Sequence, residues 1–284
     1  MSVGTKDMEK ILHFLKNTMA VPAPGGLFHW IAIVLVIVIT FLLCYFFRDT
    51  DEKTFRLLLV IIWAVMLTME GVKQLEESYV IDSAGNFTWG YNWGTFPLQL
   101  CDSPLWFLLP VAFMKDGDRR DSLIAYMSTY ILLGGLATYA FPSSTFGSNV
   151  YVNLQTMVHH GLQIASCIFI AVHFREKFKK RAFFRKGIPV FLLFVTVATL
   201  YNVGIHALVP NMEVNMCFIS PYFRKDIPIE IFKDAFQRMH WFVVIVLYVF
   251  AVSFLANLIF FLYHRAFGYN DNKDSKGKPF SAAR

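Results

Sequence analysis

Charge is what this chain has least of. Asp, Glu, Lys and Arg make up 16% of its 284 residues, against roughly 25% in a soluble domain. Too few charges remain to cover a water-facing surface. Cysteine is scarce too. Cys44, Cys101, Cys167 and Cys217 form no CxxC pair, which leaves a zinc ribbon or dithiol redox motif unsupported. HExxH and His-x3-His patterns are missing, and the one adjacent pair, His159–His160, faces two directions on a helix. No metal and no cofactor is therefore implied. There is no internal repeat. The N-terminal stretch is charged and amphipathic and lacks a small-residue cleavage site, so a cleaved signal peptide is not expected.

What the chain does have is apolar length. It is 56% apolar and 17% aromatic, and the apolar residues fall in seven blocks, at 27–47, 56–78, 97–115, 121–141, 152–173, 187–208 and 239–263. A helix needs roughly 20 residues to cross a bilayer. The expected fold is all-α: a polytopic membrane bundle of seven transmembrane helices. Alternate connections and the tail hold 18 Lys and Arg, the others hold 7, and Lys73 lies inside a block. The positive-inside rule then puts the N-terminus outside and the C-terminus in the cytoplasm. Basic loops facing anionic lipid account for the net charge of +6, with no nucleic acid as partner. The expected location is multi-pass, in a bacterial plasma membrane; the oligomeric state is open.

Three regions follow. Residues 1–26 form an amphipathic N-terminal helix and linker, with Met8, Ile11, Leu12 and Leu15 on one face. Residues 27–268 form the seven-helix domain, and 269–284 a polar, disordered cytoplasmic tail. The sixth connection holds a second amphipathic piece, with Pro228, Ile229, Phe232 and Phe236 at helical spacing. Both pieces either cover the outer rim or gate lateral access of lipid. The second connection carries Trp89, Tyr91 and Trp93, suited to an interfacial belt, and a glycosylation triplet at Asn86–Thr88.

The polar residues inside the blocks do not scatter. At about 1.5 Å of rise per residue, Glu70, Cys101, His159, His160 and Asn202 all lie about 8–12 Å below the outer face, with Lys73, Asp102 and His206 nearby. Ionisable groups at that depth are costly, and a layer of them suggests a built site. Glu70, Lys73 and Glu77 share one helix face. That stripe is either internally paired helix-to-helix adhesive or the wall of a substrate pocket with Gln99, Asn202 and His206. Cys101 opens the third block beside Asp102, and a thiol needs a base to become a nucleophile. His159 or His160 lies at matching depth, and Asp102 or Glu70 could orient the ring. Competing readings are a Cys101–Cys217 disulfide, a zinc site on the same His and acidic residues, a solute or proton pathway, and an inert bundle.

Several landmarks carry a likeness: Phe28-His29-Trp30, Phe96-Pro97-Leu98-Gln99-Leu100-Cys101, Val158-His159-His160-Gly161, and Tyr201-Asn202 with Asn215-Met216-Cys217-Phe218. On these the chain resembles the YwaF-like integral membrane family, whose eukaryotic relatives include an ether-phospholipid acyltransferase. Met216 stands where that family usually has tyrosine. The resemblance implies a seven-helix bundle, a cysteine nucleophile at Cys101, a histidine partner at His159 or His160, and a membrane phospholipid as substrate.

Overall fold

A computed structural model of the chain describes residues 3–81, 87–223, 234 and 237–276. The Asn86–Thr88 triplet lies partly, and the amphipathic piece around Pro228 wholly, outside them. The described chain is mostly helical. α1 (Val3–Leu15) precedes α2 (Leu27–Phe47) and α3 (Glu52–Ser78). A two-stranded hairpin follows, β1 (Tyr79–Ile81) with β2 (Phe87–Trp89), antiparallel with Tyr79 opposite Trp89. Next come α4 (Pro104–Phe113), α5 (Asp118–Tyr126), α6 (Leu132–Ala140), α7 (Val150–His173), the short α8 (Arg175–Phe178), α9 (Gly187–Leu208) and α10 (Trp241–Lys276).

Among the described residues, five helical stretches are long and apolar enough to cross a membrane: Leu27–Phe47, Glu52–Ser78, Asp118–Ala140, Arg181–Leu208 and Trp241–Gly268. The other two expected spans depart from that pattern for physical reasons. The third is broken. Gln99 and Asp102 cap each other around a 3-10 turn at Leu100–Asp102, and Pro104 then starts α4. The apolar run Leu100–Phe113 is thus only about 21 Å long, short of the roughly 30 Å of hydrocarbon. The fifth, α7, is long enough but polar, and its Asn153, Gln155, Thr156, His159, His160 and Gln163 are all buried. It is the central helix, wrapped by α2, α3 and α6.

The lipid-facing helices wear their apolar residues outside. α2 exposes Val34, Ile37 and Phe41, and α10 exposes Phe250, Phe254 and Leu262. Contiguous apolar surface of this kind belongs against acyl chains. α2 touches α7 where Gly161 sits, because a Cβ there would come within 2.5 Å of Val36. The middle of the fourth span, Met127–Ile131, is a fully buried π-turn. Such turns free a main-chain carbonyl, and Gln163 Nε2 donates to that of Ile131 at 2.6 Å.

The two ends of the bundle are held differently. At one end, Lys16 Nζ pairs with Glu76 at 2.9 Å, and Asn149 Nδ2 donates to Glu76 Oε1 and to the Leu15 carbonyl, both at 2.8 Å. Leu12 and Leu15 of α1 are buried there. At the other end, buried Arg120 donates to the Val111 carbonyl at 2.9 Å, to Asp116 at 2.9 Å and to Glu52 at 2.5 Å, under the Phe55 and Phe174 rings. Lys177 and Lys186 both pair with Asp121, and Arg175 with Asp49.

Candidate functional site

The polar layer converges on α7. Gln155, His159 and Gln163 follow at four-residue intervals, so they stack on one face. α3 meets this face through Glu70, which is 2% exposed. Its Oε2 accepts from Gln155 Nε2 at 3.0 Å, its Oε1 from Gln74 Nε2 at 2.7 Å, and Lys73 Nζ lies 3.3 Å from Oε1. Gln74 extends the chain to the Thr95 carbonyl and accepts from the Tyr91 hydroxyl. The stripe on α3 is therefore paired within the helix and also bolted to its neighbours.

The 3-10 turn delivers Cys101 and Asp102. Asp102 Oδ2 accepts from the Gln99 main-chain N–H at 3.1 Å, which fixes the carboxylate. Its other oxygen, Oδ1, has two neighbours: Cys101 Sγ at 3.9 Å and His159 Nε2 at 4.0 Å. The Cys101 main chain lies beside the same imidazole, and the Lys73 ammonium is within electrostatic range of Asp102 and Cys101. Gly134 of α6 makes room for the turn, since a Cβ there would sit 3.4 Å from the Cys101 main-chain N and Cα.

The two adjacent histidines divide their roles. His160 Nδ1 donates to the Thr156 carbonyl at 2.7 Å, an arrangement within its own helix. His159 is 1% exposed, and neither of its ring nitrogens has a hydrogen-bond partner of ordinary geometry among the described residues. Buried polar groups are nearly always satisfied, so an uncommitted imidazole facing a carboxylate that also neighbours a thiol requires an explanation.

Gln99 and Asn202 hold a loop. Gln99 Oε1 accepts from Cys217 N at 2.6 Å, and its Nε2 donates to the Asn215 carbonyl at 3.1 Å. Asn202 grips Met216 at both ends, accepting from its N–H at 2.7 Å and donating to its carbonyl at 3.1 Å. The grip sustains positive φ at Cys217 (56°) and Phe218 (60°), a backbone that side chains disfavour. Both amide groups are thus spent on main chain. Cys217 and Cys101 are free thiols. His206 lies elsewhere, stacked on Tyr222 with ring centres 3.6 Å apart and edge-on to Phe223. His29 is satisfied between the Gly25 N–H and the Tyr139 carbonyl, both at 3.0 Å.

The sequence reading overlooked Gln155 and Gln163. Their spacing around His159 was the available signal: three polar residues at i, i+4 and i+8 in an apolar helix mark its inward face.

Taken together, the site is a half-buried thiol, a fixed carboxylate and an uncommitted imidazole, backed by an ammonium, at one end of an apolar bundle. No curated protein and no solved structure matches the chain. A family match does run from residue 25 to residue 256, across α2, the Cys101 turn, α7, the Asn202 loop and most of the apolar part of α10. This multi-pass membrane protein belongs to the TMEM164 family.

Proposed function

We propose that the protein is a lipid acyltransferase, transacylase or lipid hydrolase, with Cys101 as nucleophile and His159 as base. The bundle has seven membrane segments, the polar α7 and the short Cys101–α4 segment included, with the N-terminus outside a bacterial plasma membrane. The observation that carries the reading is the Asp102 carboxylate between a thiol at 3.9 Å and an imidazole at 4.0 Å whose nitrogens have no hydrogen bond of ordinary geometry among the described residues. The resemblance to the YwaF-like family, with its ether-phospholipid acyltransferase relatives, supports the choice of reaction.

In the reaction, His159 takes the Cys101 thiol proton, with Asp102 orienting the ring. The sulfur attacks an ester carbonyl of a phospholipid. A C–S bond forms, the ester C–O bond breaks, and His159 returns the proton to the leaving alkoxide, releasing a lysolipid. The acyl-thioester is then attacked by a lysolipid hydroxyl, or by water, whose proton passes to His159 while the thiolate departs. Separations near 4 Å suit a site whose hydrogen bonds shorten around substrate. Depth selects the donor. A site about 10 Å below the outer face reaches outer-leaflet esters, whereas acyl-CoA stays in the cytoplasm.

The test is a covalent one. Purified protein incubated with acyl-labelled phospholipid should form a hydroxylamine-sensitive adduct that Cys101→Ser loses. A label that persists unchanged in Cys101→Ser rejects the assignment. The competing reading, a solute- or proton-coupled pocket, draws on the Glu70–Lys73–Gln155 linkage between α3 and α7. It demands the reverse pattern: Cys101→Ala without effect, and transport abolished by Glu70→Gln and Lys73→Met.

A further inference from the structure

We propose that a groove beside the C-terminal part of α10 holds one anionic phospholipid of the cytoplasmic leaflet, at the end of the bundle away from Cys101. Two adjoining concavities there share Arg181, Phe261 and His264, so they form one continuous furrow. Its polar end carries Arg181, His264 and Arg265, and no acidic side chain lines it among the described residues. Arg181 has no ion-pair partner among the described residues. Arg265 lies over the Phe261 ring at 5.3 Å. Its apolar end is Phe254, Leu258 and Phe261, which are 61%, 49% and 44% exposed.

The floor of the furrow is rigid. Phe178 packs on Phe260 and Tyr263, with ring centres 5.9 and 5.3 Å apart, and its carbonyl accepts from His264 Nδ1 at 3.1 Å. A pre-shaped site loses less entropy on binding. From Phe254 to Arg265 the furrow runs about 16 Å along the helix. That length takes a phosphate at the guanidinium end and the upper part of an acyl chain below it. Two guanidiniums with no acidic neighbour match a phosphodiester, which they can grip bidentately. A free phosphate would use the arginines and leave the apolar half bare, so the lipid is the occupant that fits both halves. Basic clefts at the cytoplasmic side of transmembrane helices bind acidic headgroups for the same reason.

Native mass spectrometry of the full chain in detergent tests this. Phosphatidylglycerol and phosphatidylcholine are titrated separately, and glycerol 3-phosphate serves as the chain-free competitor. Phosphatidylglycerol should remain bound at about tenfold lower concentration than phosphatidylcholine. Arg181→Gln with Arg265→Gln should erase that preference. Leu258→Trp, which fills the apolar half, should weaken both lipids, and Arg185→Gln, outside the groove, should change neither. Equal retention of the two lipids, or wild-type retention in Leu258→Trp, overturns the proposal. So does full displacement by glycerol 3-phosphate, which would reveal a soluble-anion site.

Discussion

His159 and His160 are adjacent in the chain, yet only His160 has a ring nitrogen hydrogen-bonded among the described residues. His160 Nδ1 is anchored to its own helix at Thr156, while His159 Nε2 lies 4.0 Å from Asp102 and neither of its nitrogens has a hydrogen bond of ordinary geometry among the described residues. His159→Ala should therefore lower the rate of adduct formation about 10²–10⁴-fold, the usual loss of a general base. His160→Ala should leave that rate within a few-fold and act mainly on stability; equal losses in a labelling time course would contradict the division. Asn202 carries a different expectation. It satisfies both polar groups of Met216 in a buried setting, so Asn202→Ala should cost about 2–3 kcal/mol by leaving them unpaired. A thermal-shift series on purified protein reads this directly. These residues show what the sequence could convey. Helical rise is fixed, so the sequence could group Glu70, Cys101, Asp102 and His159, and the structure sets Asp102 beside both Cys101 and His159. Direction around the helix was not legible. Which histidine looks inward, and the turning of His206 toward Tyr222, depend on how neighbours pack, and no spacing rule supplies that.

At the scale of elements, the departures from simple spans sit beside the candidate chemistry. The turn at Leu100–Asp102 sets Cys101 and Asp102 just ahead of Pro104, where α4 begins. The sequence reads 97–115 as one span, although Pro97 and Pro104 flank the break, and the π-turn at Met127–Ile131 left no mark in a uniformly apolar block. The small residues of α6 and α7 matter because membrane helices associate through close contact and not through expulsion of water. Gly161→Leu would push a side chain into Val36, from which even a Cβ is separated by only 2.5 Å. It should cost about 1–3 kcal/mol as overpacking and loosen α2 from α7. Gly134→Val tests the site itself: the added carbons press on the Cys101 main chain and on Gln163. It should depress adduct formation more than it lowers the melting temperature, and a variant that melts early yet labels normally would contradict that.

Over the whole molecule, the two ends differ in chemistry, and the proposed donor depends on which end faces out. The Lys16–Glu76–Asn149 cluster ties α1 over the end that holds Cys101. The opposite end pairs Arg120, Arg175, Lys177 and Lys186 with acidic partners, and residues 48–56, 115–121 and 175–186 together hold 13 Lys and Arg against 7 Asp and Glu. An excess of Lys and Arg is retained on the cytoplasmic side during insertion. The proposed topology rests on this bias, and in it the Cys101 end faces outward, among outer-leaflet lipids and away from acyl-CoA. Gly90 and Lys115 are exposed positions at these two ends. In a background with the native cysteines replaced, Gly90→Cys should react with a membrane-impermeant maleimide in intact cells. Lys115→Cys should react only after permeabilisation. The reverse labelling would put Cys101 within reach of cytoplasmic thioesters, turning a phospholipid-dependent transacylase into an acyl-CoA-dependent enzyme while leaving the thiol–carboxylate–imidazole geometry untouched.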